Sequence, residues 1–201
     1  MFVKETVDYI DSVIKAGFTD VRFQRAKYFG LCRTANIETD ARETITTTIT
    51  DDGNGERVII DDSETLTIWH VCTGMKLDGW ISGGGGFGDD KPINNPRITS
   101  VCRMIITGRT ERVKISSERL GSIVLMKIPG SVPGANYQSV SGLHNVSIGI
   151  TDIITDQSQC AQVAGHSNTP GITTAVINYM ISENISKDCI ATCEEYSFTG
   201  C

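Results

Sequence analysis

The chain has 201 residues, of which 39% are hydrophobic and 21% charged, with a formal net charge of -6. A chain of this length buries about two-thirds or more of its unfolded surface in one domain, and its ordinary apolar content excludes wholesale disorder. The acidic balance argues against a sequence-independent nucleic-acid binder, whose surface must neutralise phosphates.

The amino terminus, MFVKETVDYIDSVIKAG, is acidic and amphipathic. A secretory signal has a basic start and an apolar run, so no leader is expected. Val3, Val7, Ile10 and Ile14 recur at helical spacing, Val13 widens the stripe, and Gly17 is the expected left-handed terminator. Phe18 is placed to pack back on the last turn. Beyond it the period changes to two. Val21 and Phe23 alternate with Asp20, Arg22 and Gln24, and "ETITTTIT" sets Ile45, Thr47 and Ile49 on one face. "DDGNGE" (51–56) reads as a turn, "RVII" (57–60) as the returning strand of a hairpin, and "TLTIWHVC" (65–72) as a continued meander.

"SVCRMIITGR" (100–109) is a further strand. The apolar run within 117–129 fits either a buried strand or a short helix, and neither Gly121 nor Pro129 decides it. "VPGANYQSVSG" (132–142) reads as a loop, "HNVSIGITDII" (144–154) as a strand, "DQSQCAQVAGH" (156–166) as a short helix and "ITTAVINYMIS" (172–182) as the last strand. The expected fold class is α+β: mainly antiparallel sheet, an N-terminal amphipathic helix and one or two further short helices packed on it. The expected organisation is a single domain, 1–201, with a flexible arm at 82–97 and a tail at 189–201. No apolar run approaches the roughly 18 residues of a membrane helix, so no membrane partner is expected.

The arm, WISGGGGFGDDKPINNPR (80–97), contains Gly83-x-Gly85-x-x-Gly88, the spelling of a dinucleotide fingerprint. That motif needs a helix after its glycines to present N–H groups to phosphate. Here Asp89, Asp90, Pro92 and Pro96 follow; two carboxylates repel phosphate and no compact helix starts. The match is therefore set aside. Trp80, Gly83, Gly84, Gly85, Gly86, Phe87 and Gly88 read instead as an arm that orders against a neighbouring subunit, with Trp80 and Phe87 as its apolar anchors.

Seven cysteines (32, 72, 102, 160, 189, 193 and 201) form no C-x-x-C pair and suit reduced thiols made in a cytoplasm. Asn145 and Asn184 lie in glycosylation sequons, which carry little weight in that setting. Cys189, Cys193 and Cys201, with His166, are the one candidate zinc set, but their spacing matches no known ribbon or finger; no cofactor is expected. Of the histidines, His70 falls in a strand and His144 and His166 at loop edges, and Cys160 has no recognisable histidine partner. The acidic pairs 51/52, 61/62, 89/90 and 194/195 lie in turns or the tail, where solvation is their default. No catalytic residues are assigned.

The N-terminal helix "VKETVDYIDSVIKAGF", the hairpins, the long glycine-rich loop, "SVCRMIITGR" and the closing "TTAVINYMISENISKDC" together resemble tail-terminator and neck (head–tail connector) ring proteins of tailed bacteriophages. The stacked tail rings of crAss-like phages share this style. The resemblance covers the order of elements over most of the chain and rests on pattern, with 131–142 as a departure from it. It implies a helix packed on the sheet, sheets lining a channel, loops clasping the next subunit, and no catalytic residues. The expectation is a non-enzymatic homo-oligomer in a virion tail or neck, made in the host cytoplasm. Its partners would be copies of itself and neighbouring virion proteins, and DNA would only pass through the channel. Two alternatives stand beside it: a small hydrolase or ligand-binding domain with 82–97 as lid over a pocket holding His70 or His166 with a carboxylate, and a zinc-stabilised interaction module using Cys189, Cys193 and Cys201.

Overall fold

A computed structural model describes residues 2–38, 44–50, 66–78, 97–130, 146–164 and 171–184. It is a mixed α+β fold. Helix α1 (Phe2–Gly17) and the one-turn helix α2 (Val21–Gln24) lead into strands β1 (Lys27–Glu38), β2 (Thr44–Thr50), β3 (Thr67–Asp78) and β4 (Arg97–Arg109). Helices α3 (Thr110–Val113) and α4 (Ser117–Leu125) follow, then β5 (Val146–Ile154), α5 (Gln157–Ala164) and β6 (Ile172–Asn184). The sheet order is β2-β1-β3-β4-β6-β5. All neighbours are antiparallel except β1 and β3.

Helix α1 buries Thr6, Val7, Ile10, Asp11 and Ile14. It forms as its stripe predicts, but Gly17 is simply its last residue and does not take the left-handed conformation expected of it. Phe18 belongs to the same core as Ile10 and Ile14 of α1 and stacks on Phe23, with ring centroids 3.9 Å apart, and the Lys127 ammonium sits over its ring.

The strand expected over Val21–Gln24 is a helical turn. Asp20 overrides the alternation by accepting a hydrogen bond from the Arg22 N–H as N-cap. Phe23 is thereby buried and Val21 left 54% exposed. Arg22 returns to the Asp20 carboxylate and also donates to the Val113 carbonyl, tying α2 to α3. The Arg22 guanidinium and N–H hold the Asp20 carboxyl down at about 2. A carboxyl depressed from its ordinary value near 3.9 contributes stability present above that pH and lost as pH falls toward 2. Screened at 36% exposure, the ion pair with its cap is worth on the order of 1 kcal/mol. Asp20→Ala is therefore expected to lower the thermal midpoint by a few degrees at neutral pH and to converge with the parent near pH 2, measured by circular dichroism melts across that range.

Strand β1 is the element that the alternation pattern conceals. Its register against β3 slips between Tyr28 and Leu31, where Gly30 takes φ +64. This is a bulge, and it reverses the alternation: Tyr28 packs on the α1 side while Cys32, of the same parity, faces the other way. The described partner of β2 is β1; residues 57–60, expected to pair with it, lie outside the described residues. The expected meander at β3 is corrected too. Because β2 occupies the outer edge of β1, β3 joins the inner edge, parallel to β1 and antiparallel to β4.

The run within 117–129 is helix α4, capped by Ser116 accepting from the Arg119 N–H. Gly121 lets it lie close to the sheet, since a Cβ there would stand 3.1 Å from Ile153 Cγ2 and 3.5 Å from the Ala175 Cβ. The main core lies on this face, under α1 and α4: Ile68, Met104, Ile106, Leu120, Val124, Ala175, Ile177 and Ile181 belong to it. A smaller core on the opposite face gathers Cys32, Trp69, Ile105 and Val176 under Cys160 of α5. No described helix is long and apolar enough to cross a membrane.

Candidate functional site

Asp11 sits four residues after Val7 and three before Ile14, on the stripe that α1 presents to the sheet. Beneath it, the α1-side positions of three adjacent strands supply His70 (β3), Cys102 (β4) and Tyr179 (β6). Their common face follows from the register, which sets His70 opposite Met104 and Cys102 opposite both Cys72 and Tyr179.

His70 Nε2 lies 2.9 Å from Asp11 Oδ1, and His70 Nδ1 lies 2.7 Å from Tyr179 Oη. For a neutral imidazole, one tautomer satisfies both contacts. A carboxylate accepts, so Nε2–H donates to Asp11; Nδ1 then accepts the Tyr179 hydroxyl. Cys102 is the register partner of both Tyr179 and Cys72, and each influences its ionisation. The result is one line of polar and thiol groups, Asp11–His70–Tyr179–Cys102–Cys72, running from α1 to β3 through an apolar core.

Burial dominates its electrostatics. It pushes the Tyr179 phenol well above its ordinary value, with the neighbouring Cys102 and Asp11 adding to the effect. It pushes the Cys102 thiol up to about 12. Tyr28, which donates to the Phe23 carbonyl, is raised to about 12 first by burial and then by the Asp11 charge.

His70 and Tyr179 expose none of their surface, and the Asp11 side chain is 11% exposed. A general base has to come within hydrogen-bond reach of the proton it takes from a substrate. His70 has both ring nitrogens engaged and no open side. The histidine–carboxylate cluster that a lidded hydrolase calls for is thus present, but it is sealed inside the core. Its evident work is to satisfy buried polar groups and fix the α1–sheet registration.

The other expected site residues fall as follows. Trp80, Gly83–Gly88 with Phe87, His144, His166, Cys189, Cys193 and Cys201 all lie outside the described residues, as do the acidic pairs. Arg97, taken as the end of the arm, is the first residue of β4 and pairs with Asp78. Cys160 is a core thiol: it is fully buried, hydrogen-bonded to the Ile154 carbonyl at 3.1 Å, and raised by burial to about 11. Among the described residues no three His, Cys, Asp or Glu side chains gather as a metal site requires. Asp11 was not singled out in the sequence, although a polar residue on an apolar stripe is the signal that could have found it. Tyr179 and Cys102 carry no such signal, because only strand register brings them to His70. No protein-family model matches the chain, and no curated protein sequence matches it either.

Proposed function

We propose that this chain is a structural, non-enzymatic virion protein: a ring-forming subunit of a phage tail or head–tail neck, assembling through its loops and sheet edges. The observation that carries this reading is the β1–β2 ribbon. Strand β1 pairs with β3 only from Lys27 to Cys32, yet continues from Arg33 to Glu38 against Thr44–Ile49 of β2. Among the described pairings the ribbon has no third strand there. A two-stranded ribbon is marginal in water and gains stability when a neighbour completes it.

Two further features agree. The β5 edge carries exposed residues from Gly149 to Asp152 and a bulge within them, and the β3–β4 hairpin carries residues 79–96 at its tip. An arm and a receptive edge on one subunit make a heterologous contact, which closes into rings when the rotation permits. In this reading the chain is made in the host cytoplasm. It assembles with copies of itself and with neighbouring virion proteins, and DNA only passes through the channel.

Native mass spectrometry of the purified chain, followed by negative-stain imaging of any large species, tests the proposal. A closed oligomer of roughly six or more subunits is expected. A chain that stays monomeric up to its solubility limit overturns self-assembly.

A further inference from the structure

Cys72 and Cys102 stand directly opposite one another in the antiparallel β3–β4 pair, and the Cys72 side chain helps to raise the Cys102 thiol. Both are free thiols on the α1 side of the sheet. Directly opposed residues in such a ladder have Cα atoms about 4.5–5.5 Å apart, within the roughly 4.4–6.8 Å that a disulfide spans. A register shift falls between Cys72 and Gly74, next to the pair. A bulge is a place where the ladder is already interrupted and its strand bent. Access differs between the two: Cys102 is fully buried, whereas Cys72 is only partly so.

We propose that Cys72 and Cys102 are a dithiol site for reversible oxidation by small disulfides such as oxidised glutathione, with Cys72 the entry thiol and Cys102 the resolving thiol. The site rests on β3–β4 geometry and is independent of the assembly reading above. In the first step the Cys72 thiolate, having lost its proton to solvent, attacks one sulfur of oxidised glutathione. The glutathione S–S bond breaks, a mixed disulfide forms on Cys72, and one glutathione thiolate leaves and takes a proton from solvent. In the second step Cys102 Sγ attacks Cys72 Sγ. The mixed disulfide breaks, the Cys72–Cys102 bond forms, and the second glutathione leaves. Two electrons pass from the two cysteines to glutathione disulfide, which ends as two glutathione thiols.

The buried polar chain acquires a role in that second step. A thiolate is the attacking form, and a buried thiol supplies little of it unaided. Cys102 can pass its proton to Tyr179 Oη as Tyr179 passes its own to His70 Nδ1. The imidazolium so formed faces the Asp11 carboxylate at 2.9 Å. The imidazolium then passes its Nε2 proton to Asp11, whose 11% exposed side chain releases it to solvent, and the departing glutathione thiolate takes a proton from solvent. Tyr179 and His70 act here as positioning residues that accept a proton, not as nucleophiles.

The test uses the full chain with Cys189, Cys193 and Cys201 replaced by serine, which removes competing thiols. The folded protein is incubated with oxidised glutathione, quenched with a maleimide and mapped by peptide mass spectrometry over time. The expected product is a 72–102 bridge, reversible by reduced glutathione. Cys102→Ser is expected to trap glutathione on Cys72, and Cys72→Ser to leave Cys102 unmodified. Tyr179→Phe is expected to leave the rate of Cys72 glutathionylation unchanged while slowing bridging roughly a hundredfold, the low end of what a positioned proton acceptor contributes. Protection of Cys102 from maleimide in that variant verifies that its core is intact. A bridge joining other cysteines overturns the proposal, as does a persistent mixed disulfide on Cys72 that never resolves. Unchanged bridging in Tyr179→Phe overturns the proton path and leaves the dithiol site standing.

Discussion

Replacing His70 by leucine is expected to destabilise the fold by about 3–5 kcal/mol, read as a lower urea midpoint at unchanged slope. The substitution removes the donor to Asp11 and the acceptor of the Tyr179 hydroxyl, both held at hydrogen-bond distance in a closed core. A buried carboxylate without its partner is the costlier loss, because a charge is harder to strand than a dipole. Asp11→Leu strands only a neutral N–H and is expected to cost about 1–3 kcal/mol. The double variant is the sharper experiment. With both polar groups replaced by leucine nothing charged remains stranded between α1 and β3, and much of the loss is expected to be recovered. The coupling between the two positions should therefore be large and favourable to the pair. A cost below about 1 kcal/mol for His70→Leu would show that Asp11 turns to solvent through its 11% exposed edge, and that the pair does not hold α1 in place.

What the sequence disclosed follows how local each signal was. The stripe of α1 and the long apolar runs of β3, β4 and β6 depend on burial alone, and burial writes a period into the residues it governs. The turn at Val21–Gln24 was misread because a strand and a short helix both fit four alternating residues, and the Asp20 cap decided between them. Strand β1 escaped because the bulge at Gly30 breaks its alternation midway. The polar chain from Asp11 to Cys72 illustrates the other limit. His70 and Tyr179 are separated by 109 positions, and their meeting depends on a strand order that no local pattern encodes. Asp11 alone left a trace, as a carboxylate where α1 wanted an apolar residue.

Deleting residues 83–96 is expected to abolish assembly while leaving the monomer as stable as the parent, or slightly more so. The reason lies in the ladder that flanks the arm. Asp78 and Arg97 are register partners, and the β3–β4 pairing runs from them back to Thr67 and Thr107. The deletion leaves Gly79, Trp80, Ile81 and Ser82 between the paired ends, a connection within the usual length of a hairpin loop. Shortening the connection to about a quarter of its length lowers the closure cost by about 1 kcal/mol, so the strands have no reason to part. Assembly is a separate matter, because in the proposed ring the arm with Phe87 is what reaches the next subunit. Rings that persist in the deletion variant would transfer the contact to the β1–β2 ribbon or the β5 edge. A variant that loses cooperative unfolding would instead make 83–96 part of the fold. The outcome that supports the arm is specific: the parent's cooperative melt retained or raised, and the large species absent from native mass spectra. Because the arm is inserted at the tip of an intact ladder, stability and assembly can be read apart in the same molecule.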